Sequence, residues 1–218
     1  MASGADGTIQ HGGNLARARL QFPQAPEPWI DLSTGINPYS YPYSAVPANA
    51  FSRLPEPALA ERLKALAAQA YGAPSAAHVV ATPGTQILLP MIAALPKLRA
   101  RAAVLSPTYA EHARAARLAD YDVTETEDFG SLADADLAVV VNPNNPTGRT
   151  TSRSDLLALA AQMRSKGGLL VVDEAFQDVS ETESVADAVA DGGLLVLRSF
   201  GKFYGMAGVR LGFAIAGA

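Results

Sequence analysis

Four runs of this chain have unbroken apolar cores: RAAVLS (101–106), DLAVVVN (136–142), GLLVVDEA (168–175) and GLLVLRS (193–199). A strand with one wet face alternates apolar and polar residues. These runs do not alternate, so each is expected to be covered on both faces. Between them lie segments with helical apolar spacing, YAEHARAARLA (109–119) and SRSDLLALAAQMRSKG (152–167), the second with Ser152 or Ser154 as N-cap. SVADAVAD (184–191) is a shorter helix. Strand and helix in alternation predict an α/β fold, a mainly parallel sheet with helices on both faces. Upstream, PALAERLKALAAQAY (57–71) reads as a helix stopped by Gly72, HVVAT (78–82) as a strand and GTQILLPMIAAL (84–95) as a helix interrupted at Pro90. YDVTE (121–125) and GVRLGFAIAG (208–217) are further strands.

Residues 1–57 differ. Prolines at 23, 26, 28, 38, 42, 47, 55 and 57 resist long helices and internal strands. The chain therefore divides into an extended N-terminal arm (1–57) that must lie on another surface, and one domain over 58–218. With 49% hydrophobic and 17% charged residues that domain can bury a sizeable core. A net charge of −4 gives no electrostatic reason to expect nucleic acid or an anionic membrane as partner. There is no cysteine, which excludes disulfides and thiolate chemistry and suits a reducing compartment. The start, MASGADGTIQHGGN, lacks the pattern of a secretory signal, and no run has the ~18 apolar residues of a membrane helix, so a cytoplasmic protein is expected.

In such sheets chemistry collects beyond the carboxyl ends of the strands. Four unusual segments fall there. Gly84-Thr85-Gln86 opens a helix after a strand, either an ordinary turn or a phosphate seat. Asn142-Pro143-Asn144-Asn145-Pro146-Thr147-Gly148 follows a buried strand, and its prolines hold the preceding asparagines extended, as in a rigid loop that presents Asn145. Asp173 ends LLVV, where a carboxylate needs a metal, a ligand cation, an arginine or a turn to cap. His11, His78 and His112 show no ligand spacing with it, which disfavours a metal. Lys202 sits among Phe200, Gly201, Phe203 and Tyr204. It reads as a solvated lysine, a phosphate binder, or a desolvated amine able to form a Schiff base. Ser199 and Arg210 flank it as anion holders. One ligand would answer all four segments: a carbonyl for the lysine, a cationic ring nitrogen for the aspartate, a ring oxygen for the asparagine and a phosphate. Pyridoxal 5'-phosphate has these groups.

The ordered set GTQ, PTY, NPNNPTG, DEAF and SFGKFYGMAGVRLG resembles the fold-type I superfamily of class I/II aminotransferases, over about residues 75–218. The resemblance implies the large domain of a pyridoxal-phosphate-dependent transferase. It implies Lys202 as the lysine bonded to the cofactor, Asp173 opposite the pyridine nitrogen and Asn145 on the ring hydroxyl oxygen. Tyr109 would stack on the ring, and Gly84, Thr85, Ser199 and Arg210 would hold the phosphate. The arm motifs HGGN (11–14), DLSTGINP (31–38) and RLPEP (53–57) resemble the threonine-phosphate decarboxylases of cobalamin biosynthesis, neighbours of the histidinol-phosphate aminotransferases. That branch implies His11 near the phosphate of a phosphorylated amino-acid substrate, with decarboxylation as the reaction. Transamination and an inactive cofactor-binding remnant are the alternatives.

Three positions depart from common relatives: Phe176 stands for a tyrosine, Leu54 for a tyrosine that reaches the partner subunit, and Gly35 for an asparagine near the substrate. Family chains also continue into a C-terminal small domain that carries an arginine for the substrate carboxylate. No arginine in 1–218 matches it, so the chain is expected to be a fragment or shortened product with exposed, association-prone apolar surface. The superfamily builds its sites at dimer interfaces, which implies a homodimer.

Overall fold

The computed structural model describes residues 11–96 and 100–217. In chain order the elements are α1 (Leu15–Gln21), α2 (Pro57–Tyr71), β1 (Val79–Thr82), α3 (Leu88–Ala93), β2 (Arg101–Leu105), α4 (Glu111–Leu118) and β3 (Asp122–Thr126). They continue with β4 (Leu137–Val141), α5 (Arg153–Ser165), β5 (Leu169–Asp173), β6 (Leu194–Ser199), α6 (Phe200–Phe203) and β7 (Gly212–Ala216). The strands form one sheet in the order β1-β7-β6-β5-β4-β2-β3. All neighbours from β3 across to β6 pair in parallel, whereas β7 runs antiparallel to both β6 and β1.

The apolar runs serve both faces because successive side chains point opposite ways. Ala138 and Val140 of β4 pack with Leu156, Leu159 and Met163 of α5 and with Ala67, Ala68 and Tyr71 of α2. Leu137 and Val139 of the same strand pack with Leu88, Leu89 and Ile92 of α3 and with Ala113 and Ala116 of α4. Helices thus cover both faces, as predicted. The expected caps are present too. Ser152 accepts a hydrogen bond from the Asp155 backbone N–H at 3.1 Å, and Gly72, at φ 74°, closes α2 in the left-handed conformation.

Several boundaries differ from expectation. The arm is not wholly irregular. Its proline-free stretch forms α1, started by Asn14, whose side chain accepts from the Arg17 N–H at 3.0 Å. The helix expected over 84–95 is shortened to α3 because the chain leaves β1 through turns at Thr85–Ile87. Pro90 falls in the first turn of α3, where its missing N–H would have had no intrahelical partner. Residues Ala186–Asp191 wind as a 3-10 helix rather than an α-helix. The last strand begins at Gly212 rather than 208, because Ala207–Val209 makes a 3-10 turn and Arg210, at φ 55°, swings the chain back into the sheet. Lys202, in the segment expected beyond the end of a strand, lies in the one-turn helix α6 that follows β6.

This topology sets the position of the candidate site residues. The carboxyl ends of β1, β2, β4, β5 and β6 share one rim, and reversed β7 starts from that rim. The arm reaches the same rim. Asn37 N–H donates to Lys202 O at 3.0 Å, Asn37 Nδ2 to Phe203 O at 2.8 Å, and Ser40 Oγ to Gly205 O at 2.7 Å. Gly205 permits this approach: a Cβ there would stand 2.7 Å from Asn37 O.

Candidate functional site

A cavity of about 190 Å³ opens at the rim. Gly84, Thr85, Tyr109, Asn145, Asp173, Ser199, Lys202 and Arg210, all singled out above, line it. Sheet order arranges them. Gly84 and Thr85 follow β1, Arg210 precedes β7, and Ser199 and Lys202 follow β6. Asp173 ends β5, Asn145 follows β4 and Tyr109 follows β2. Donors suited to a phosphate therefore gather on one side, and groups suited to an aromatic ring on the other, separated by strand steps of about 4.8 Å.

Asp173 is buried, and both of its oxygens are engaged. Oδ1 accepts from the Ala175 N–H at 3.0 Å and Oδ2 pairs with His112 Nε2 at 2.9 Å. Against an ionised carboxylate, which only accepts, Nε2 is the donor. His112 was not singled out from the sequence. It lies one helical turn beyond Tyr109, and only the pairing of β4 with both β2 and β5 brings that turn over Asp173.

The NPNNPTG loop divides its labour. Asn144 braces the loop: Thr108 Oγ1 donates to its Oδ1 at 2.7 Å, and its Nδ2 donates to Pro107 O at 2.9 Å and to Thr147 Oγ1 at 2.7 Å. Asn142 is tied to Thr151 through its side chain. Asn145 faces the cavity, its amide not drawn into this bracing among the described residues.

Lys202 is half-buried. Burial pushes its ammonium below the ordinary lysine range, Asp173 opposes that shift and Arg210 adds to it. A larger fraction of free amine follows at neutral pH, the state a nucleophilic lysine needs. Burial, with help from Glu111 and Asp173, raises the Tyr109 phenol to about 12, so it stays neutral. Arg210 packs against Gly84, where a Cβ would stand 2.9 Å from its guanidinium. Gly84 has φ 81°, a second reason for glycine at this position. Among the described residues, Lys202, Arg210 and Asp173 bring an amine, a guanidinium and a carboxylate to the cavity, which suits a dianionic phosphate at one end and a cationic ring nitrogen at the other.

Behind Asp173, Glu174 is fully buried on the opposite side of the strand. It accepts from Ser184 Oγ at 2.6 Å, the Val185 N–H at 3.0 Å and Arg198 at 3.0 Å. Arg198 also reaches Asp178 at 2.8 Å and lies 4.5 Å over the Tyr71 ring. This buried network ties the ends of β5 and β6 together beneath Asp173 and Ser199.

Two of the unusual positions turn out to be one feature. A Cβ on Gly35 would stand 2.8 Å from the Phe176 ring, so the arm backbone lies against that ring, and Lys202 Nζ is 5.8 Å from the centre of the same ring. Gly35→Asn is expected to force the ring or the arm aside and destabilise the protein by about 1–3 kcal/mol. Phe176→Ala should relieve most of that cost, which urea unfolding of the two single variants and the double variant would measure. His11 does not line the cavity. It lies outside, its ring 5.9 Å from that of Tyr109. Leu54 is exposed and touches nothing that assigns it a role.

The family model described as "Aminotransferase class I and II" matches residues 27–218. The threonine-phosphate decarboxylase of a Sinorhizobium species is 43% identical over 210 residues, covering 95% of this chain and 63% of that protein. That of Pseudomonas aeruginosa is 44% identical over 212 residues, covering 95% and 62%. The crystal structure of L-threonine-O-3-phosphate decarboxylase from Porphyromonas gingivalis superposes with a TM-score of 0.65 at 26% identity, over 77% of this chain and 52% of that one. The chain thus spans less than two thirds of the length of the curated relatives it matches.

Proposed function

Since the chain belongs to the aminotransferase class I and II family, we propose that residues 58–218 form its pyridoxal 5'-phosphate domain, and that the protein decarboxylates L-threonine O-3-phosphate to (R)-1-amino-2-propanol O-2-phosphate. The observation that carries the proposal is the cavity itself, which a half-buried Lys202, a buried Asp173 and Asn145 all line. The residues fit the cofactor. Lys202 would bind its carbonyl carbon, Asp173 would hold a proton on its ring nitrogen, and Asn145 would donate to its ring oxygen. Tyr109 would cover the ring, with Thr85, Ser199 and Arg210 around its phosphate and Gly84 leaving room for Arg210. Phe176 lacks a hydroxyl, so Asn145 would make the ring-oxygen contact without help from that position.

When bound, pyridoxal phosphate supplies an electron sink for the pair left on a substrate's α-carbon. In the proposed reaction the bond from that carbon to the carboxylate breaks, CO₂ leaves, and one proton is added at the same carbon. Lys202 Nζ is the amine in the cavity able to carry that proton. His112 keeps Asp173 oriented, so that the carboxylate does not have to reorganise as charge develops.

Decarboxylation rather than transamination is supported by the 43–44% identity to proteins of that name over nearly the whole chain. A homodimer belongs to the same reading. It is supported by exposed aromatic residues along the arm, Tyr39, Tyr41, Tyr43 and Phe51. The test supplies L-threonine O-phosphate and pyridoxal phosphate to the full-length protein. CO₂ release without need of a 2-oxo acid is the expected result. Amino transfer to an added 2-oxo acid, with no CO₂, would make the protein an aminotransferase, and neither product would leave a cofactor-binding remnant.

A further inference from the structure

Helix α6 has four residues, too few to hold its shape by itself in water. The last carbonyls of any helix lack partners within it. Lys202, its third residue, nevertheless has to present an amine to the cavity. The arm supplies the missing donors. Four consecutive carbonyls accept from it: Lys202 O from the Asn37 N–H at 3.0 Å, Phe203 O from Asn37 Nδ2 at 2.8 Å, Tyr204 O from the Tyr41 N–H at 2.8 Å and Gly205 O from Ser40 Oγ at 2.7 Å. The two side-chain bonds join residues 166 and 165 positions apart.

Asn37 is the centre of this cap. Its Oδ1 accepts from the Tyr39 N–H at 2.9 Å across Pro38, a turn that leaves Nδ2 facing Phe203 O. Gly205 is shaped to receive the arm. At φ 62° it ends the helix in the left-handed conformation, and a Cβ there would stand 2.8 Å from Tyr39 O. The Tyr204 ring stacks on Phe200 at 4.7 Å and meets the Tyr41 ring edge-on at 5.8 Å, and Phe200 packs on the core. On the other side of Asn37, Ile36 lines the cavity with Lys202.

We infer that Asn37 is a positioning residue: it closes the lysine-bearing turn from outside, so that docking of the arm and the direction in which Lys202 enters the cavity are set together. The inference rests on the reading of Lys202 as the cofactor-bonding amine proposed above. Without the Asn37 amide the turn loses a bond at Phe203, and Ile36 loses its anchor beside Lys202. The amine then gains water. Burial is the main cause that lowers its ammonium, so release of the arm should raise it. Asp173, Arg210 and Tyr109 are the other titratable residues described around the cavity, and a neutral substitution at Asn37 leaves their charges unchanged. The coupling runs both ways, so whatever fixes Lys202 should also hold the arm.

The test uses full-length protein. Hydrogen exchange of the Tyr41 amide, which is bonded to Tyr204 O, reads arm docking without cofactor. Asn37→Ala should speed it about tenfold. Asn37→Ser keeps an acceptor for the Tyr39 N–H but cannot reach Phe203 O, and should act alike. The urea midpoint should stay near wild type, because Asn37 lies outside the buried core. Trace acetylation across pH, with Lys64 of α2 as reference, reads the amine. The Lys202 midpoint should rise in both variants toward the ordinary value of 10.5, with Lys64 unmoved. Pyridoxal phosphate fixed by borohydride should slow Tyr41 exchange about fivefold or more in the wild type, and not in Lys202→Ala. A label on another lysine overturns the cofactor reading and this assignment with it. A label on Lys202, with wild-type Tyr41 exchange or an unmoved Lys202 midpoint in the Asn37 variants, overturns this assignment alone. A lowered urea midpoint with Lys64 shifting alongside Lys202 would make Asn37 a residue of the fold only, and also overturn it.

Discussion

Lys202→Ala is expected to abolish the visible absorbance that full-length protein gains with pyridoxal phosphate, together with the borohydride-stable label on that chain. Among the described residues no other lysine lines the cavity, so none of them replaces the lost amine. Turnover should fall by at least about 10²–10⁴-fold, the range set by the loss of a positioned proton carrier alone. The fold should survive, because Lys202 sits on a one-turn helix whose position the arm sets by bonding to its backbone oxygens. Wild-type cofactor capture has a pH dependence of known sign. Burial lowers the Lys202 ammonium below the ordinary value near 10.5, and the free amine is the reacting form. The capture rate should therefore rise with pH and level off below the range of an exposed lysine. A plateau at or above it would refute the burial argument, and absorbance that persists in Lys202→Ala would refute the lysine assignment.

Asp173→Ala should have the next largest effect, and on two measurements at once. It strips the acceptor from two buried donors, His112 Nε2 and the Ala175 N–H. At about 1–3 kcal/mol for each unsatisfied group, stability should fall by roughly 2–6 kcal/mol, visible as a lower urea midpoint. Affinity for pyridoxal phosphate and turnover should fall further than this loss explains, since the ring nitrogen also loses its partner. Asp173→Asn separates the two. Its Oδ1 still accepts from His112 or from Ala175, so the fold is largely kept while the charge is lost. If Asp173→Asn retained wild-type turnover, the carboxylate would have a structural role only.

What could be read from the chain, and what could not, divides by distance along it. LAVVV and LLVV are apolar at every position, and that alone demanded covered strands whose ends would carry the polar residues. Lys202, Asp173 and Asn145 were legible because each sits beside residues that make no sense as an ordinary loop. His112 and Glu111 were not. On a helix they look like polar surface, and only the sheet order turns one toward Asp173 and the arm brings His11 to the other. The coupling of Gly35 to Phe176 likewise spans the arm and the rim, and each looked like an isolated departure. Helix α1 was hidden by the prolines around it, although the stretch that forms it has none.

The reversed strand β7 has a consequence for the order in which the site is assembled. Lys202 and Arg210 belong to the short connection from β6 to β7, so local contacts suffice to join the amine and the guanidinium. Gly84 and Thr85 arrive only when β1 pairs with β7, joining Val79 to Ile215 across most of the chain. That closure is the least local pairing in the sheet and carries the largest entropic cost of bringing chain segments together. The phosphate end of the cavity is thus the seam where the sheet is completed. A phosphate held there would bridge residues from both sides of the seam and stabilise the closed sheet by mass action, so a bound cofactor would act as a clasp on the fold as well as a reagent within it.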